Sequence, residues 1–530
     1  MPTLHWIGKD KVVNHHHDVP FSVLDKVETF NAPEGTPANS KDNRIIHGDN
    51  LAVLKSLLPE FEGRVNCIYI DPPYNTGNEG WVYNDNVNDP RIKKWLGDVV
   101  GKEGEDLTRH DKWLCMMYPR LKLLHRLLAD DGVIFISIDD NEQANLKLVC
   151  DEVFGSSNLI STLIWKSRQN KDNRPVNGVS IDHEYILCYG SRLRGSNRNL
   201  DQFSNPDNDP RGRWTSGNMV GLADEKARPN LHYDLIDPGT GINYGRPRQG
   251  WRFDSKRMAS LMRENRILWP EKATGRPRQK VFMNELSSEF TGFSSLAGQS
   301  IFTHTGTKEI LEIFGEKVFD FPKSSSLIYE LIEQATTKKS IILDSFGGSG
   351  TTAHAVLKLN AQDGGNRRFI LCEMMDYADT ITAERVRRVM SGYGEDSKRT
   401  EGLGGSFDYY IVGEKLFLDN KNLNESVGII KIRDYVAYSE KIKPEQRTDQ
   451  SHPTSSYTIG VSQTALWVFY YEPNSITTLD MDFLASLNIQ HLPQRPESFV
   501  IYADKCTLEK EFMTLHGIIF KRIPRDITRF

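Results

Sequence analysis

Four residues that could do chemistry follow a short apolar strand: Asp71, Pro72, Pro73 and Tyr74. The preceding residues, 65–70, are a continuous apolar run, which is typical of a strand buried on both faces. Proline locks the φ angle, so the two prolines stiffen the turn and fix the direction of its carbonyl. The pattern predicts a rigid loop that presents a carboxylate and a carbonyl as hydrogen-bond acceptors beside an aromatic face.

A glycine-rich turn forms a second candidate site. Residues 340–359 read as strand, turn and helix, with Asp344 at the strand end and Gly350 closing the turn. The spacing fits neither the dinucleotide fingerprint nor the phosphate-binding loop, because the lysine of that loop is missing. Glu373 ends the next strand, 23 residues beyond Gly350, where an acid in such folds binds ribose hydroxyls. These features indicate a cofactor that carries adenosine without a pyrophosphate, and S-adenosylmethionine fits.

Strands and helices alternate around both motifs. The strands are predicted at 44–49, 65–70, 133–139, 340–344 and 367–375, and the helices at 50–58 with Asn50 as N-cap, 111–132 with a kink near Pro119, 141–155 and after the glycine turn. This alternation predicts an α/β fold with a doubly wound, mostly parallel sheet. Further strands are predicted in a C-terminal α/β region at 426–432, 465–471 and 498–503.

An inserted segment separates the two motif-bearing blocks. Between Ser191 and Phe290 there are 18 Lys+Arg against 12 Asp+Glu, on a chain whose net charge is −5. Tryptophans and tyrosines are interspersed among these charges, and basic and aromatic side chains together suit nucleic-acid binding. Charge alone leaves two readings open: a nucleic-acid surface, or a solvated, loop-rich insertion.

Composition sets outer limits on the function. The chain has 530 residues, 38% of them hydrophobic and 26% charged, which is enough for two to four globular domains. We find no apolar run long enough to span a membrane and no signal peptide, so a cytoplasmic protein with no membrane association is expected. The six cysteines are scattered, which favours buried free thiols over disulfides or zinc. The histidines at 15–17 are interpreted as a polar loop, and no metal is expected.

The two motifs together resemble those of the amino-methyltransferases of DNA. Asp71-Pro72-Pro73-Tyr74 matches the D-P-P-Y motif of this family, and Phe346-Gly347-Gly348-Ser349-Gly350 matches its F-x-G-x-G motif. The catalytic motif precedes the cofactor motif, as in the circularly permuted β class. Several stretches are similar to modification (Mod) subunits of type III restriction-modification systems: 47–57, 81–86, 183–190, 205–214 and 306–328. This similarity covers roughly residues 1–410.

The resemblance implies methyl transfer from S-adenosylmethionine to the N6 amine of an adenine flipped out of duplex DNA. Asp71 and the carbonyl of Pro72 would accept the two N–H groups of the amine, whose lone pair is otherwise delocalised into the ring. Pro73 would stiffen the loop, and Tyr74 would stack on the flipped base.

The resemblance also implies a set of cofactor-binding residues. They are Asp49 near the adenosine ring, Phe321, Lys323 and Ser324 at a helix start that binds the methionine carboxylate, Asp344 facing the methionine portion, Phe346, Gly348 and Gly350 in the turn, and Glu373 on the ribose.

The resemblance implies a domain order and partners as well. The predicted domains are an N-terminal segment (1–40), the catalytic half (41–190), a target-recognition domain (191–305), the cofactor-binding half (306–405) and a C-terminal domain for dimer or partner contacts (406–530). The expected partners are double-stranded DNA, a second copy of the chain, and a restriction (Res) subunit with ATPase and nuclease activity. Two alternatives stay open: a cytosine-N4 methyltransferase, and a non-catalytic recognition subunit for a partner nuclease.

Overall fold

A computed structural model describes residues 3–76, 109–173, 178–395, 399–492, 494–525 and 527–528. The stretch at 81–86, cited above for its similarity to Mod subunits, lies outside these residues. No helix in the described ranges is both long enough and apolar enough to cross a membrane. The six cysteines are free and five of them are buried, which confirms the expectation for those five; Cys506 is partly exposed.

The strands are β1 (Ser22–Asn31), β2 (Asn43–His47), β3 (Val65–Ile70), β4 (Leu128–Ile138), β5 (Leu159–Trp165), β6 (Glu184–Gly190), β7 (Ser196–Asn197), β8 (Trp214–Asn218), β9 (Ile267–Leu268), β10 (Arg278–Phe282), β11 (Phe290–Thr291), β12 (Leu296–Ala297), β13 (Ile341–Asp344), β14 (Arg368–Glu373), β15 (Gly392–Tyr393), β16 (Thr400–Glu401), β17 (Ser406–Lys415), β18 (Thr458–Val461), β19 (Ala465–Phe469), β20 (Thr478–Leu479), β21 (Ser498–Ala503), β22 (Lys505–Cys506) and β23 (Ile518–Arg522).

The α-helices are α1 (Lys9–Val12), α2 (His15–Asp18), α3 (Asn50–Phe61), α4 (Arg109–Leu127), α5 (Gln143–Cys150), α6 (Ser255–Arg263), α7 (Thr303–Phe314), α8 (Ser325–Ala335), α9 (Thr351–Asp363), α10 (Glu384–Ser391), α11 (Ile429–Ser439), α12 (Met481–Ser486) and α13 (Lys510–Leu515).

The central sheet of the described chain has the strand order β1-β17-β2-β14-β13-β3-β4-β6-β5-β12. The five adjacent pairs between β17 and β4 in this order are all parallel. Three pairs are antiparallel: β1 with β17, β4 with β6, and β6 with β5. The predicted doubly wound, mostly parallel sheet is therefore confirmed.

Both faces of the sheet centre are buried. Ile68 and Leu343 belong to the same apolar core as Trp113 of α4. The residues that precede them in the two strands, Cys67 and Ile342, are equally buried. Since successive residues of a strand point to opposite faces, both faces of the sheet are covered here. The continuous apolar runs of the sequence are thus explained by helices and loops that cover the sheet on both sides.

The strand order interleaves the two motif-bearing blocks. β13 and β14, which come late in the chain, lie between β2 and β3, which come early. β1 and β17, from the segments assigned above to the N-terminal segment and the C-terminal domain, extend the same sheet. As a result, the loop after β3 and the turn after β13 follow adjacent parallel strands.

Some local predictions were wrong. The helix expected to continue to residue 132 ends at Leu127, because Leu128 already pairs with Val65 of β3. The N-cap of α3 is Asp49 rather than Asn50: its carboxylate accepts a hydrogen bond from the Ala52 amide at 3.1 Å.

Two further segments are helical where a strand or a loop was expected. Most of residues 426–432 lies in α11 rather than in a strand, because Ile432 and Val436, one helical turn apart, both enter the core. The histidines of the expected polar loop form the short helix α2, whose His16 carbonyl accepts a hydrogen bond from Lys55.

Residues Arg194–Phe293 form a compact unit of their own. Its three-stranded antiparallel sheet has the order β8-β10-β9, and its core contains Met219, Trp251 and Met258. Arg211 is held by Asp209, whereas Arg276 is exposed.

Candidate active site

A cavity of about 450 Å³ lies beyond the carboxyl ends of β3 and β13. The two strands are paired in parallel, with Ile342 opposite Cys67, so the loops that follow them meet at one sheet edge. The cavity is lined by Asn50, Tyr69, Asp71, Pro72, Pro73, Tyr74, Thr76, Met116, Arg120, Arg168, Glu184, Thr303, Phe319, Asp320, Phe321, Pro322, Lys323, Asp344, Ser345, Phe346, Gly347, Gly348, Ser349, Thr351, Thr352, Glu373, Met374 and Tyr377. In doubly wound sheets this edge is where ligands bind.

One ammonium group joins the polar side chains at the β3 end of the cavity. Lys323 Nζ lies 3.1 Å from Asp71 Oδ1 and 3.2 Å from Glu184 Oε2. It also donates to the Tyr74 hydroxyl at 2.8 Å, and that hydroxyl donates to Glu184 Oε2 at 2.9 Å. The ammonium lies 4.8 Å from the centre of the Tyr74 ring, within cation–π range. These four side chains form a single cluster, which we call the lysine cluster.

Burial dominates the electrostatics of the lysine cluster. Burial raises the pKa of Asp71, while Lys323 lowers that pKa and Glu184 raises it. Burial lowers the pKa of Lys323, but Asp71 and Glu184 outweigh it, so the net pKa lies above the ordinary value. Burial also raises the pKa of Tyr74 well above its usual range. Lys323 is therefore charged and Tyr74 is neutral around neutral pH.

The loop that carries Asp71 is fixed from behind by other side chains. Trp113, which is fully buried, donates its indole N–H to the Pro73 carbonyl at 2.7 Å. Asn75 has a φ of 58° and donates to the Arg109 carbonyl and to the buried Glu142 carboxylate. The prolines and these anchors together hold the loop in one conformation.

The glycine turn is organised by two carboxylates that accept from it. Glu373 accepts hydrogen bonds from the amides of Gly348 at 2.7 Å and Met375 at 2.9 Å. Asp344 accepts from the Phe346 amide at 3.0 Å and from the Thr352 hydroxyl at 2.5 Å. Both acids therefore shape the turn through these hydrogen bonds.

Burial raises the pKa values of both acids. It raises the pKa of Asp344 to about 7, against lowering contributions from the Thr352 hydroxyl and the Phe346 amide. Burial likewise raises the pKa of Glu373 to about 7, against hydrogen bonds from backbone amides. Both acids change charge near neutral pH.

An internal carboxylate already binds the start of α8. Glu309 accepts hydrogen bonds from the Ser325 amide at 3.0 Å and from the Ser325 hydroxyl at 2.8 Å. It also pairs with the fully buried Arg385 at 2.9 Å, which in turn donates to Ser349 of the glycine turn and to Thr351 at the start of α9. The helix start that was predicted to bind an anion is thus linked to the glycine turn through Glu309.

Most of the predicted site residues line the cavity. They are Asp71, Pro72, Pro73, Tyr74, Phe321, Lys323, Asp344, Phe346, Gly348 and Glu373. The other three predicted residues do not line the cavity, but each is the N-cap of a helix that begins near it. They are Asp49 for α3, Ser324 for α8 and Gly350 for α9.

Glu184 is the main site residue that the sequence analysis missed. It begins β6, which runs antiparallel to β4, so the start of β6 lies at the sheet edge where β3 and β4 end. Its stretch was noted for its similarity to Mod subunits, but the acid was given no role. An acid at the start of an apolar strand, two residues before its buried run, is the signal that could have found it.

The comparison with protein families defines the class of the chain. Residues 65–384 match the family model described as DNA methylase, which covers more than half of the chain and includes both loops of the cavity. The chain therefore belongs to the DNA methylase family.

Individual relatives are more specific. The chain is 33% identical over 421 residues to the type III restriction-modification enzyme StyLTI Mod subunit of Salmonella typhimurium, covering 72% of this chain and 62% of that protein. It is 30% identical to the EcoP15I Mod subunit of Escherichia coli, covering 74% and 66%. It is 34% identical to the type II methyltransferase M.KpnI of Klebsiella pneumoniae, covering 64% and 82%. The chain thus spans less than two thirds of the length of these two Mod subunits.

Proposed function

We propose that this chain is a DNA adenine-N6 methyltransferase that uses S-adenosylmethionine and is the Mod subunit of a type III restriction-modification system. Its similarity to the StyLTI and EcoP15I Mod subunits supports the assignment to such a system. One observation carries the proposal: Asp71 and Glu373, from motifs far apart in the chain, line the same cavity.

The residues of the cavity fit S-adenosylmethionine. A volume of about 450 Å³ lies within the range of small-molecule sites. Glu373 offers a buried carboxylate for the ribose hydroxyls, and Phe346 and Tyr377 offer aromatic faces for adenine. When bound, S-adenosylmethionine would supply an electrophilic methyl group, whose bond to the sulfonium sulfur breaks on transfer and leaves a neutral thioether.

The chain's own residues prepare the amine. The Asp71 carboxylate and the Pro72 carbonyl accept the two N–H groups of the adenine amine, which frees the nitrogen lone pair for the methyl carbon. As the new bond forms the nitrogen becomes positively charged, and Asp71 is the acceptor placed to take the proton that leaves. Tyr74 supplies a ring face against which the flipped base stacks.

We assign the remaining predicted site residues to the cofactor side. Asp344, Phe346, Gly348 and Phe321 would contact the cofactor directly, while Asp49, Ser324 and Gly350 would act through the helices that they cap. Lys323 differs, because its ammonium is already shared between two carboxylates, so we assign it to the Asp71 side of the cavity.

We also propose roles outside the cavity. The domain order remains as predicted, and the compact unit Arg194–Phe293, which lies within the predicted 191–305, is the proposed target-recognition domain; its excess of basic residues and the exposed Arg276 support a contact with DNA phosphates or bases. A homodimer and a Res partner remain proposals that follow from the family resemblance. Sedimentation of the purified chain, alone and with a candidate Res subunit, tests both.

The decisive experiment identifies the methylated base. The protein is incubated with unmethylated genomic DNA and S-adenosylmethionine, and the DNA is digested to nucleosides. We expect N6-methyladenine. N4-methylcytosine would support the cytosine alternative, and the absence of both, together with sequence-dependent DNA binding, would favour the recognition subunit.

A further inference from the structure

Two carboxylates in the cavity compete for one ammonium. Asp71 and Glu184 lie at similar distances from Lys323 Nζ, 3.1 and 3.2 Å, and Lys323 is only 11% exposed. With both acids ionised the lysine cluster carries one net negative charge. With a single carboxylate beside it, the buried ammonium would form an isolated ion pair with that carboxylate. The second carboxylate, Glu184, therefore determines how strongly the ammonium interacts with Asp71.

Glu184 is well anchored for this task. It begins β6, where Tyr185 pairs with Ile138 of β4 and Glu184 itself pairs with Trp165 of β5. It holds the Tyr74 hydroxyl at 2.9 Å in addition to the ammonium. Its position is therefore set by the sheet, whereas Asp71 lies on a loop.

We propose that Glu184 is a positioning residue that acts through Lys323: it draws the ammonium away from Asp71, so that Asp71 remains a strong acceptor for the incoming amine. The inference rests on the proposed function and deepens it. A carboxylate that is fully paired with a lysine is a poorer hydrogen-bond acceptor and a weaker base than one that shares the lysine. Lys323 then keeps Asp71 ionised and correctly turned, and Glu184 limits how strongly it does so.

The charges around Asp71 fix the sign of the expected effects. Asp71 contacts Lys323 directly, and Glu184, Tyr74, Tyr69 and Asp344 lie around it. Glu184 raises the pKa of Asp71 and Lys323 lowers it. Removing the charge of Glu184 must therefore lower the pKa of Asp71, and removing the charge of Lys323 must raise it.

The test compares the pH dependence of single-turnover methylation in three variants. In Glu184→Gln the acidic limb of the rate profile should move to lower pH, and the plateau rate should fall by about tenfold or more with KM for S-adenosylmethionine little changed. In Lys323→Met the same limb should move to higher pH. Asp140→Asn is the matched control, because Asp140 is exposed, accepts a hydrogen bond from the Tyr185 hydroxyl and lies outside the cavity. Its profile should match that of the parent.

If Glu184 had a purely structural role, Glu184→Gln would lower the rate, but the acidic limb would not move in opposite directions in Glu184→Gln and Lys323→Met. An unchanged limb in Glu184→Gln, or a shift to higher pH, overturns the inference, as does a shift to lower pH in Lys323→Met. If one variant does not fold, the direction in which the acidic limb shifts in the other variant still tests the inference.

A measurement without turnover separates this inference from the proposed function. The carboxyl carbon of Asp71 is followed by ¹³C NMR in protein labelled at aspartate, with its signal assigned by its loss in Asp71→Asn. The titration midpoint should fall in Glu184→Gln and rise in Lys323→Met. A parent that methylates no base refutes the proposed function, whereas midpoints that do not move refute the role of Glu184.

Discussion

The loop after β3 and the glycine turn after β13 hold their acids in different ways. Asp71 is balanced by the ammonium of Lys323, which it shares with Glu184. Glu373 is instead held by backbone amides of the turn and its surroundings. One substitution can change the acceptor strength of an acid whose charge is balanced by side chains. The position of an acid held by amides instead depends on the conformation of the backbone.

This difference matches what each region is proposed to do. An acceptor for a reacting amine must respond to charge that develops during the reaction, and nearby ionic groups set its strength. A ribose-binding acid only has to stay in place, and a folded turn does that without a counter-ion. We therefore expect substitutions that change the charge around Asp71 to change the methylation rate, and substitutions that change the backbone of the glycine turn to change cofactor affinity.

The largest effect is expected for Asp71→Ala. Loss of one of the two fixed acceptors should lower methylation by roughly a hundredfold to a thousandfold. Affinity for S-adenosylmethionine, measured by calorimetry, should stay close to that of the parent, because the glycine turn is unchanged. Asp131→Ala, at an exposed position, is the control for loss of an aspartate. If this variant methylates DNA at nearly the parental rate, the assignment of Asp71 as a catalytic residue is refuted.

Gly350→Ala tests the backbone region. Gly350 has a φ of +79°, and an added Cβ would lie 2.8 Å from the Thr382 carbonyl oxygen, so the turn must shift. We expect lower thermal stability and weaker cofactor binding. Gly364→Ala is the matched control: its φ is +66°, with no atom within 4 Å of the added Cβ. It should show only the strain of the left-handed conformation, about 1–2 kcal/mol, and normal cofactor affinity. Equal cofactor affinity in the two variants would contradict the role of the turn.

The smallest effect concerns pH. Because burial raises the pKa of Glu373 to about 7, the folded protein holds a proton there that the unfolded chain has already lost. This acid therefore makes the free energy of unfolding fall as pH rises from the ordinary glutamate pKa to about 7. Glu373→Gln removes that dependence, so the melting temperature of the variant relative to the parent should be higher at pH 8 than at pH 5. The same difference at both pH values would show that Glu373 does not titrate in this window.

The local features of the site follow from the sequence. A carboxylate and two prolines after an apolar run place Asp71 at a strand end, and glycines between strand and helix place Glu373 beside the turn. These are short-range consequences of residue type, and the structure has both strands where they were expected. Predictions at element boundaries were weaker, as the early end of α4 at Leu127 shows. There a long-range strand pairing overrode the helical pattern.

Residues 426–432 show a second limit. A short apolar run fits a strand or a buried helix equally well, and the packing of Ile432 and Val436 in one core decided for the helix.

The sequence by itself determined the parts: a rigid acidic loop, a glycine turn with its acid, and an alternating chain that belongs to an α/β fold. Only the tertiary structure decided their arrangement, because strand order and strand direction depend on pairings between segments that are distant in the chain. Insertion of β13 next to β3 brings the two motifs to one cavity, and the antiparallel course of β6 brings Glu184 to the same edge. No local pattern carries that information, since it arises from which apolar surfaces bury one another.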